Sequence, residues 1–199
     1  MTSEAVRVRN PEKTKRAVLD AAERLFADRG FDGTSLREIS RASSVSQPLI
    51  QHHFGSKEQL HAAVIERSID AFVARFPESS WTSEQTLDLR AEMTRLFAFW
   101  SENQAQLRIF GWSRLEGRSP LLKGCSDLRW ALVRRIEKGQ ELGVVRRDLD
   151  AIALSLIIEG VVFAWLENRS LTAEHFPTMT DAVYLETAIA TLERGFAPA

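Results

Sequence analysis

Two glutamines four residues apart, Gln47 and Gln51, carry the chemistry that stands out most clearly in this sequence. A glutamine amide both donates and accepts hydrogen bonds, and in the major groove of DNA it can pair with N6 and N7 of adenine. Neighbouring side chains add ring nitrogens and an apolar surface suited to a thymine methyl group: His52, His53, Pro48 and Leu49. The cluster therefore indicates a helix that reads base edges.

Local capping signals place this cluster on the second of two short helices. Ser35 and Glu38 have the spacing of a capping box, with Thr34 as the alternative N-cap, and they open a helix of about two turns. A polar run then interrupts the pattern before Ser46, which can cap a second helix over 47–53. Two short helices joined by a tight turn are typical of a helix-turn-helix DNA reader.

A third helix follows immediately, because Ser56 and Gln59 repeat the capping-box spacing ahead of an apolar run. Lys57 lies in its first turn, where a positive charge opposes the helix dipole. A DNA phosphate nearby would remove that penalty, since both the lysine and the helix N-terminus attract anions. We therefore expect Lys57 to hold a phosphate.

With these motifs, the N-terminal third of the chain resembles the TetR-type transcriptional regulators. The positions that fit the family pattern are Thr34, Ile39, Val45, Ser46, His53, Phe54, Ser56, Lys57, Glu58 and Leu60. Ser44 stands where the family usually has glycine, so a residue with a Cβ must enter a conformation that glycine takes more easily. Gln51 replaces the usual tyrosine and is followed by His52, so the operator preference of relatives does not carry over.

The resemblance implies a set of DNA contacts in which residues 47–53 of each subunit enter successive major grooves. Phosphates would be held by Thr34, Ser35, His53 and Lys57. The full set of expected DNA-binding residues is Thr34, Ser35, Ser46, Gln47, Pro48, Leu49, Gln51, His52, His53 and Lys57.

The resemblance also implies a mode of action. It predicts a homodimeric, sequence-specific regulator of transcription, more precisely a repressor that a small apolar or amphipathic effector releases from a palindromic operator. A constitutive DNA-binding regulator that senses no small molecule is the alternative. An all-helical enzyme is a more remote one.

The rest of the chain has helical periodicity and no strand pattern. Helices are expected at about 12–29, 56–75, 83–101, 104–116, 120–142, 149–167 and 179–196. The predicted fold is all-α, with a helix-turn-helix domain joined to a larger helical ligand-binding and dimerisation domain. The boundaries are a flexible basic arm at 1–10, the DNA-binding domain at 11–56 and the second domain at 57–199.

The helix expected at 149–167 is apolar almost all round, so it must be covered on several sides. Thirteen of the sixteen residues from Ala151 to Leu166 are apolar. That run is shorter than the ~20 residues needed to cross a bilayer, so we predict a buried helix and no membrane contact. A second subunit is the natural cover, and the resemblance assigns the homodimer interface to 149–167 and 179–196. A central helix inside a monomer is the alternative.

The middle helices are rich in aromatic residues, which could line an apolar effector pocket or form ordinary core. At any single position core packing is the more frequent outcome, whereas the set as a whole favours a sizeable apolar cavity. The candidate effector contacts are Phe97, Trp100, Phe110, Trp112, Trp130, Arg134, Glu159 and Phe163.

Composition and spacing argue against other classes of protein. With 44% hydrophobic residues the chain can bury a real core, and its net charge of −1 hides a basic cluster before the first helix. A single cysteine, Cys125, excludes an intramolecular disulfide and, with no signal peptide evident, predicts a cytoplasmic protein. The four histidines have no metal-ligand spacing, and no glycine-rich phosphate loop or nucleophile elbow occurs. We expect no enzyme activity, no catalytic residue, no metal and no cofactor.

Overall fold

The computed structural model describes residues 10–75, 86–118 and 123–198, and these residues form helices and turns without a strand among them. The helices are α1 (Pro11–Arg29), α2 (Leu36–Ser43), α3 (Gln47–Phe54), α4 (Lys57–Val73), α5 (Leu89–Glu102), α6 (Gln104–Leu115), α7 (Lys123–Glu141), α8 (Ala151–His175) and α9 (Asp181–Phe196). The predicted all-α fold is confirmed. The arm predicted at 1–10 lies, apart from Asn10, outside the described residues.

Polar N-caps determine where several helices begin. The Asn10 side chain accepts hydrogen bonds from two amides of the first turn of α1, at 3.0 and 3.3 Å. Asp88, Asp150 and Thr180 accept in the same way at the starts of α5, α8 and α9. Each cap satisfies backbone donors that have no partner inside the helix, which fixes the first residue of the element.

Helix α8 is longer than predicted, because it continues past residue 167 to His175. Asn168 stays within the helix by donating from its amide to the Ala164 carbonyl at 2.8 Å, and no proline intervenes before Pro177. At 25 residues the helix is long and apolar enough to cross a membrane by length and composition alone. The sequence argument that this helix is too short to cross a bilayer was therefore wrong. Within its unit, α8 packs against α5, α7 and α9.

The described chain divides into two compact units. The first unit contains residues 10–68 and 105–118, and the second contains residues 69–104 and 123–198. This grouping differs from the predicted boundary at residue 57, because most of α4 and nearly all of α6 pack with the first three helices. The first unit buries Val18, Ala22, Phe26, Ile39, Ile50 and Leu60.

In the second unit, aromatic and polar contacts join α8 to α9. The rings of Trp165 and Tyr184 stack with centroids 4.5 Å apart. The Tyr184 hydroxyl donates to the Val161 carbonyl, and the Trp165 indole donates to Asp181, each at 2.8 Å. These hydrogen bonds satisfy the polar ends of both rings, so the rings can pack between the helices.

Candidate DNA-binding site

The turn between α2 and α3 depends on a left-handed serine. Ser44 has φ 57° and ψ 28°, and it is the only non-glycine residue with positive φ among the described residues. The Val45 amide donates to the Ser40 carbonyl at 3.2 Å and to the Ser43 hydroxyl at 3.3 Å. These bonds hold Ser44 in the conformation that the family pattern reserves for glycine, as expected from the sequence.

The first capping box forms as predicted. The Ser35 hydroxyl accepts from the Glu38 amide at 3.3 Å, and the Ser35 amide donates to the Glu38 carboxylate at 2.9 Å. The hydrogen bonds from Ser35 lower the pKa of Glu38 below its ordinary value. Arg29 also pairs with Glu38 at 2.9 Å, which links the end of α1 to the start of α2.

The second capping box closes the turn between α3 and α4. The Ser56 amide donates to the Gln59 side-chain carbonyl at 2.9 Å, and the Gln59 amide donates to the Ser56 hydroxyl at 3.2 Å. Gly55 has φ +77°, and a Cβ there would lie 1.9 Å from the Gln59 side chain. Glycine therefore allows α4 to begin directly after the reader helix.

Helix α3 has one packed face and one open face. Ile50 is buried in the first unit. Away from Ile50 the exposed residues are Pro48, Gln51 and His52, and Ser46 is exposed at the N-cap. The half-exposed residues are Gln47, Leu49 and His53. Ser46 occupies the N-cap position, yet its side chain makes no capping hydrogen bond to the first turn. The predicted base-reading residues thus share one exposed surface, which can enter a groove.

Thr34 does not have the predicted phosphate-facing position. Its side chain is buried, with 2% exposure, and its hydroxyl donates to the Gly30 carbonyl at 2.8 Å and the Leu25 carbonyl at 3.2 Å. Gly30 is the C-cap of α1, where backbone carbonyls lack intrahelical partners, and Leu25 lies just over one turn before it. Thr34 therefore completes α1, whereas Ser35 remains exposed beside it.

Lys57 also has a role inside the protein. Its ammonium donates to the Phe31 and Thr34 carbonyls, both at 2.9 Å, and lies 4.0 Å from the centroid of the Phe31 ring. The two carbonyls and the ring supply the negative partners that a phosphate was expected to supply. The lysine thus binds the turn formed by residues 31–34.

Two basic residues of α2 were missed by the sequence reasoning. Arg37 and Arg41 are exposed on this helix, whose Ile39 is buried. The sequence contained a signal for them. Arg37 and Arg41 are four residues apart and so share a helix face, and the apolar Ile39 between them indicates that this face is the outer one. Their exposure beside the reader helix makes them better candidates for phosphate contact than Thr34 or Lys57.

The predicted effector residues fall in both units. Phe110 and Trp112 belong to the first unit, because α6 packs there rather than in the second unit. Trp130 and Arg134 are exposed on α7, and Glu159 accepts two hydrogen bonds from Arg129, at 3.2 and 2.7 Å. In the second unit Phe97 and Trp100 are buried and Phe163 is half-buried. Their aromatic neighbours include Phe72 and Phe99.

A buried histidine lies behind the reader helices. The His61 ring meets Phe26 and Phe31 edge-on, with centroid distances of 4.9 and 5.1 Å. Burial lowers the pKa of His61; the charge of Glu116 opposes that shift, and Arg118 and Lys57 add to it. The neutral imidazole is therefore the form that suits this aromatic site.

These observations define a helix-turn-helix DNA-binding protein with a second, helical unit. Residues 18–64 match the family described as bacterial regulatory proteins, tetR family, and residues 88–194 match the tetracyclin repressor-like C-terminal domain. The second match alone covers more than half of the chain. The protein belongs to the TetR family, whose members are transcriptional regulators rather than enzymes.

Individual relatives agree with this assignment. The activator FasR of Mycolicibacterium smegmatis is 31% identical over 93 residues, which are 46% of this chain and 42% of FasR. The repressor Rv3405c of Mycobacterium tuberculosis is 46% identical over 55 residues, 28% of this chain and 29% of Rv3405c. The chain thus aligns with less than half the length of either curated relative. The structure of SCO4942 from Streptomyces coelicolor shares the fold, with a TM-score of 0.76 at 20% identity over 92% of this chain and 98% of SCO4942.

Proposed function

We propose that this protein is a transcriptional repressor that binds a palindromic operator as a homodimer and leaves it when a small apolar or amphipathic molecule binds. The observation that carries the proposal is the open face of α3, which brings the predicted base-reading side chains together on one exposed surface. TetR-family regulators bind DNA operators and function as dimers. Such a regulator works in the cytoplasm.

The contacts to DNA follow from exposure and chemistry. Gln51, with Gln47 beside it, reads adenine through its amide, and Pro48 and Leu49 offer apolar contact to a thymine methyl group. His52, next to Gln51 in the sequence, is also exposed. Phosphates are held from the rim by Ser35, Ser46, His53, Arg37 and Arg41. Thr34 and Lys57 act indirectly, because they hold the turn that leads into α2.

An apolar face of α8 supports the homodimer. Ile152, Leu156 and Ile157 are 45%, 50% and 46% exposed, and Val183 on α9 is 48% exposed. Covering such side chains releases about 25 cal/mol for each Å² of apolar surface removed from water. A second copy packed on this face gives a twofold dimer, and a twofold dimer matches a palindromic operator.

The proposed effector site uses the aromatic interior of the second unit. Trp100 lies 5.3 Å from Phe163 and 5.5 Å from Phe72, measured between ring centroids, so the cluster offers apolar and aromatic contact. An effector would release DNA only by its different affinity for the two dimer geometries. The same ring-to-ring packing favours a second candidate, a regulator that binds DNA constitutively and uses these rings as core.

The test is selection of duplexes from a random DNA library by the purified full-length chain, followed by fluorescence anisotropy across a salt series. We expect enrichment of a palindromic sequence and saturation at two chains per duplex. A screen of apolar and amphipathic compounds for release of that labelled duplex then separates the effector-controlled repressor from the constitutive regulator. Failure to enrich any sequence would contradict the proposed function.

A further inference from the structure

Helix α6 runs alongside the second half of α1 and reaches the turn that leads into the reader helices. The contacts progress in the same direction on both helices. The Gln106 side chain donates to Glu23 at 3.1 Å, and the Arg108 guanidinium donates to the Ala27 carbonyl at 2.7 Å. All these residues belong to the first unit. Helix α6 is therefore part of the structure that supports the reader.

At the end of this contact, Glu116 binds the turn formed by residues 31–34. Its carboxylate accepts from the Phe31 amide at 3.2 Å and from the Asp32 amide at 3.1 Å, and its side chain is 11% exposed. Arg118 donates to Asp32 at 3.0 Å and lies 3.8 Å from the centroid of the Phe31 ring. Phe31, Asp32, Glu116 and Arg118 form what we call the clasp.

Gly30 allows the Glu116 side chain to come close to the backbone of the turn. A Cβ at this position would lie 2.4 Å from a Glu116 carboxylate oxygen and 3.1 Å from the Trp112 ring. Gly30 also has φ +72°, a conformation that strains other residues. Any larger residue would push the Glu116 carboxylate away from the two amides, so the close contact depends on glycine.

The turn is thereby held from two sides with opposite charges. Its amides bind the Glu116 carboxylate, whereas its Phe31 and Thr34 carbonyls bind the Lys57 ammonium of α4. Ser35, the N-cap of α2, follows this turn directly. Because α2 leads through the Ser44 turn into α3, the position of the turn sets where the reader helices begin.

We infer that Glu116, although far from α3 in sequence, is a positioning residue for DNA binding. The inference rests on the proposed reading of DNA by α3. The inference predicts an unusual direction for the change in DNA affinity when Glu116 is removed. Removing a carboxylate from a DNA-binding protein ordinarily strengthens binding, because less negative charge opposes the phosphates. A positioning role requires the opposite result, weaker binding.

The experiment compares Glu116→Ala and Glu116→Gln with the wild-type chain on a duplex that the wild type has selected. Two charge-assisted hydrogen bonds are lost in Glu116→Ala, so we expect binding weaker by about tenfold. Glu116→Gln keeps an acceptor oxygen and should retain an intermediate affinity. The matched control is Glu66→Gln, which removes a charge from an exposed position of the same unit and should bind as tightly as the wild type or more tightly.

Amide hydrogen exchange provides a readout on the clasp itself. We expect faster exchange at Phe31 and Asp32 in Glu116→Ala, with unchanged exchange in α8. Wild-type DNA affinity together with faster exchange would overturn the inference, as would unchanged exchange at both amides. If circular dichroism shows that Glu116→Ala does not fold, Glu116→Gln alone decides, and affinity equal to that of Glu66→Gln would overturn the inference. A wild-type chain that selects no duplex would instead contradict the proposed function.

Discussion

The two units differ in how far each is completed by contacts within one chain. In the first unit polar groups find partners within the same chain, both close by in sequence, as in the capping box of Ser35 with Glu38, and far apart, as in the contact of Glu116 with Phe31. In the second unit, α8 leaves Leu156 and its apolar neighbours half-exposed. Hydrogen bonds within one chain complete a structure without a partner, whereas a large exposed apolar face often marks a surface that another molecule covers.

The most severe test of this comparison is a charge on the open face of α8. We expect Leu156→Glu to give a monomer at micromolar concentration, because a carboxylate would be buried without a partner in the dimer. Loss of the second reader should weaken binding to a palindromic duplex by at least about a hundredfold. Sedimentation analysis and anisotropy measure the two effects.

The matched control is Leu142→Glu, at a 60% exposed leucine that follows α7. This variant should stay dimeric. A dimeric Leu156→Glu protein would show that α8 is not the interface and that the comparison between the units is wrong.

A second test separates the residues of the first unit that read bases from those that contact phosphates. Gln51→Ala should relax preference at one position in each half-site, worth about 1–3 kcal/mol of discrimination. Arg41→Gln should weaken binding similarly on all sequences and reduce the salt slope by about one. Binding measured on a panel of single-base operator variants distinguishes the two. Uniform weakening by Gln51→Ala would remove it from the base-reading set.

The sequence predicted those features of the first unit that depend on interactions between neighbouring residues. Capping boxes, the left-handed turn and the amphipathic α3 all follow from residue types within three or four positions of one another. The partners of Thr34 and Lys57 could not be predicted in this way. They are backbone carbonyls, and every residue has one, so no residue type marks them.

The effector residues were the least predictable part of the candidate site. Phe110 and Trp112 are large aromatic residues of the type that lines apolar pockets, yet α6 packs in the first unit. Trp130 is 51% exposed on α7. Burying an aromatic residue is strongly favourable, but the residue type does not specify which element it packs against. Long-range packing therefore decides whether it lies in a core, in a pocket or on the surface.

A third test concerns the buried histidine of the first unit. The pKa of His61 is lowered by burial, so below the ordinary value of about 6.5 the unfolded chain binds a proton that the folded chain resists. The free energy of unfolding should therefore fall as the pH drops from about 7 to 5.5. Urea denaturation at several pH values measures this slope. His61→Leu should flatten it, whereas His52→Leu, at an exposed histidine, should leave it unchanged.

The smallest expected effect tests whether the reader's local structure is optimal. Ser44 is held at φ 57°, where a Cβ is strained, so Ser44→Gly should raise the free energy of unfolding by about 0.5–1 kcal/mol after the greater flexibility of glycine in the unfolded chain is counted. The same change at Ser40, inside α2, should instead lower it by a similar amount. Urea denaturation at pH 7 compares them. If both variants were destabilised equally, the left-handed turn would not be the source of strain, and the first unit would owe its stability to packing rather than to local geometry.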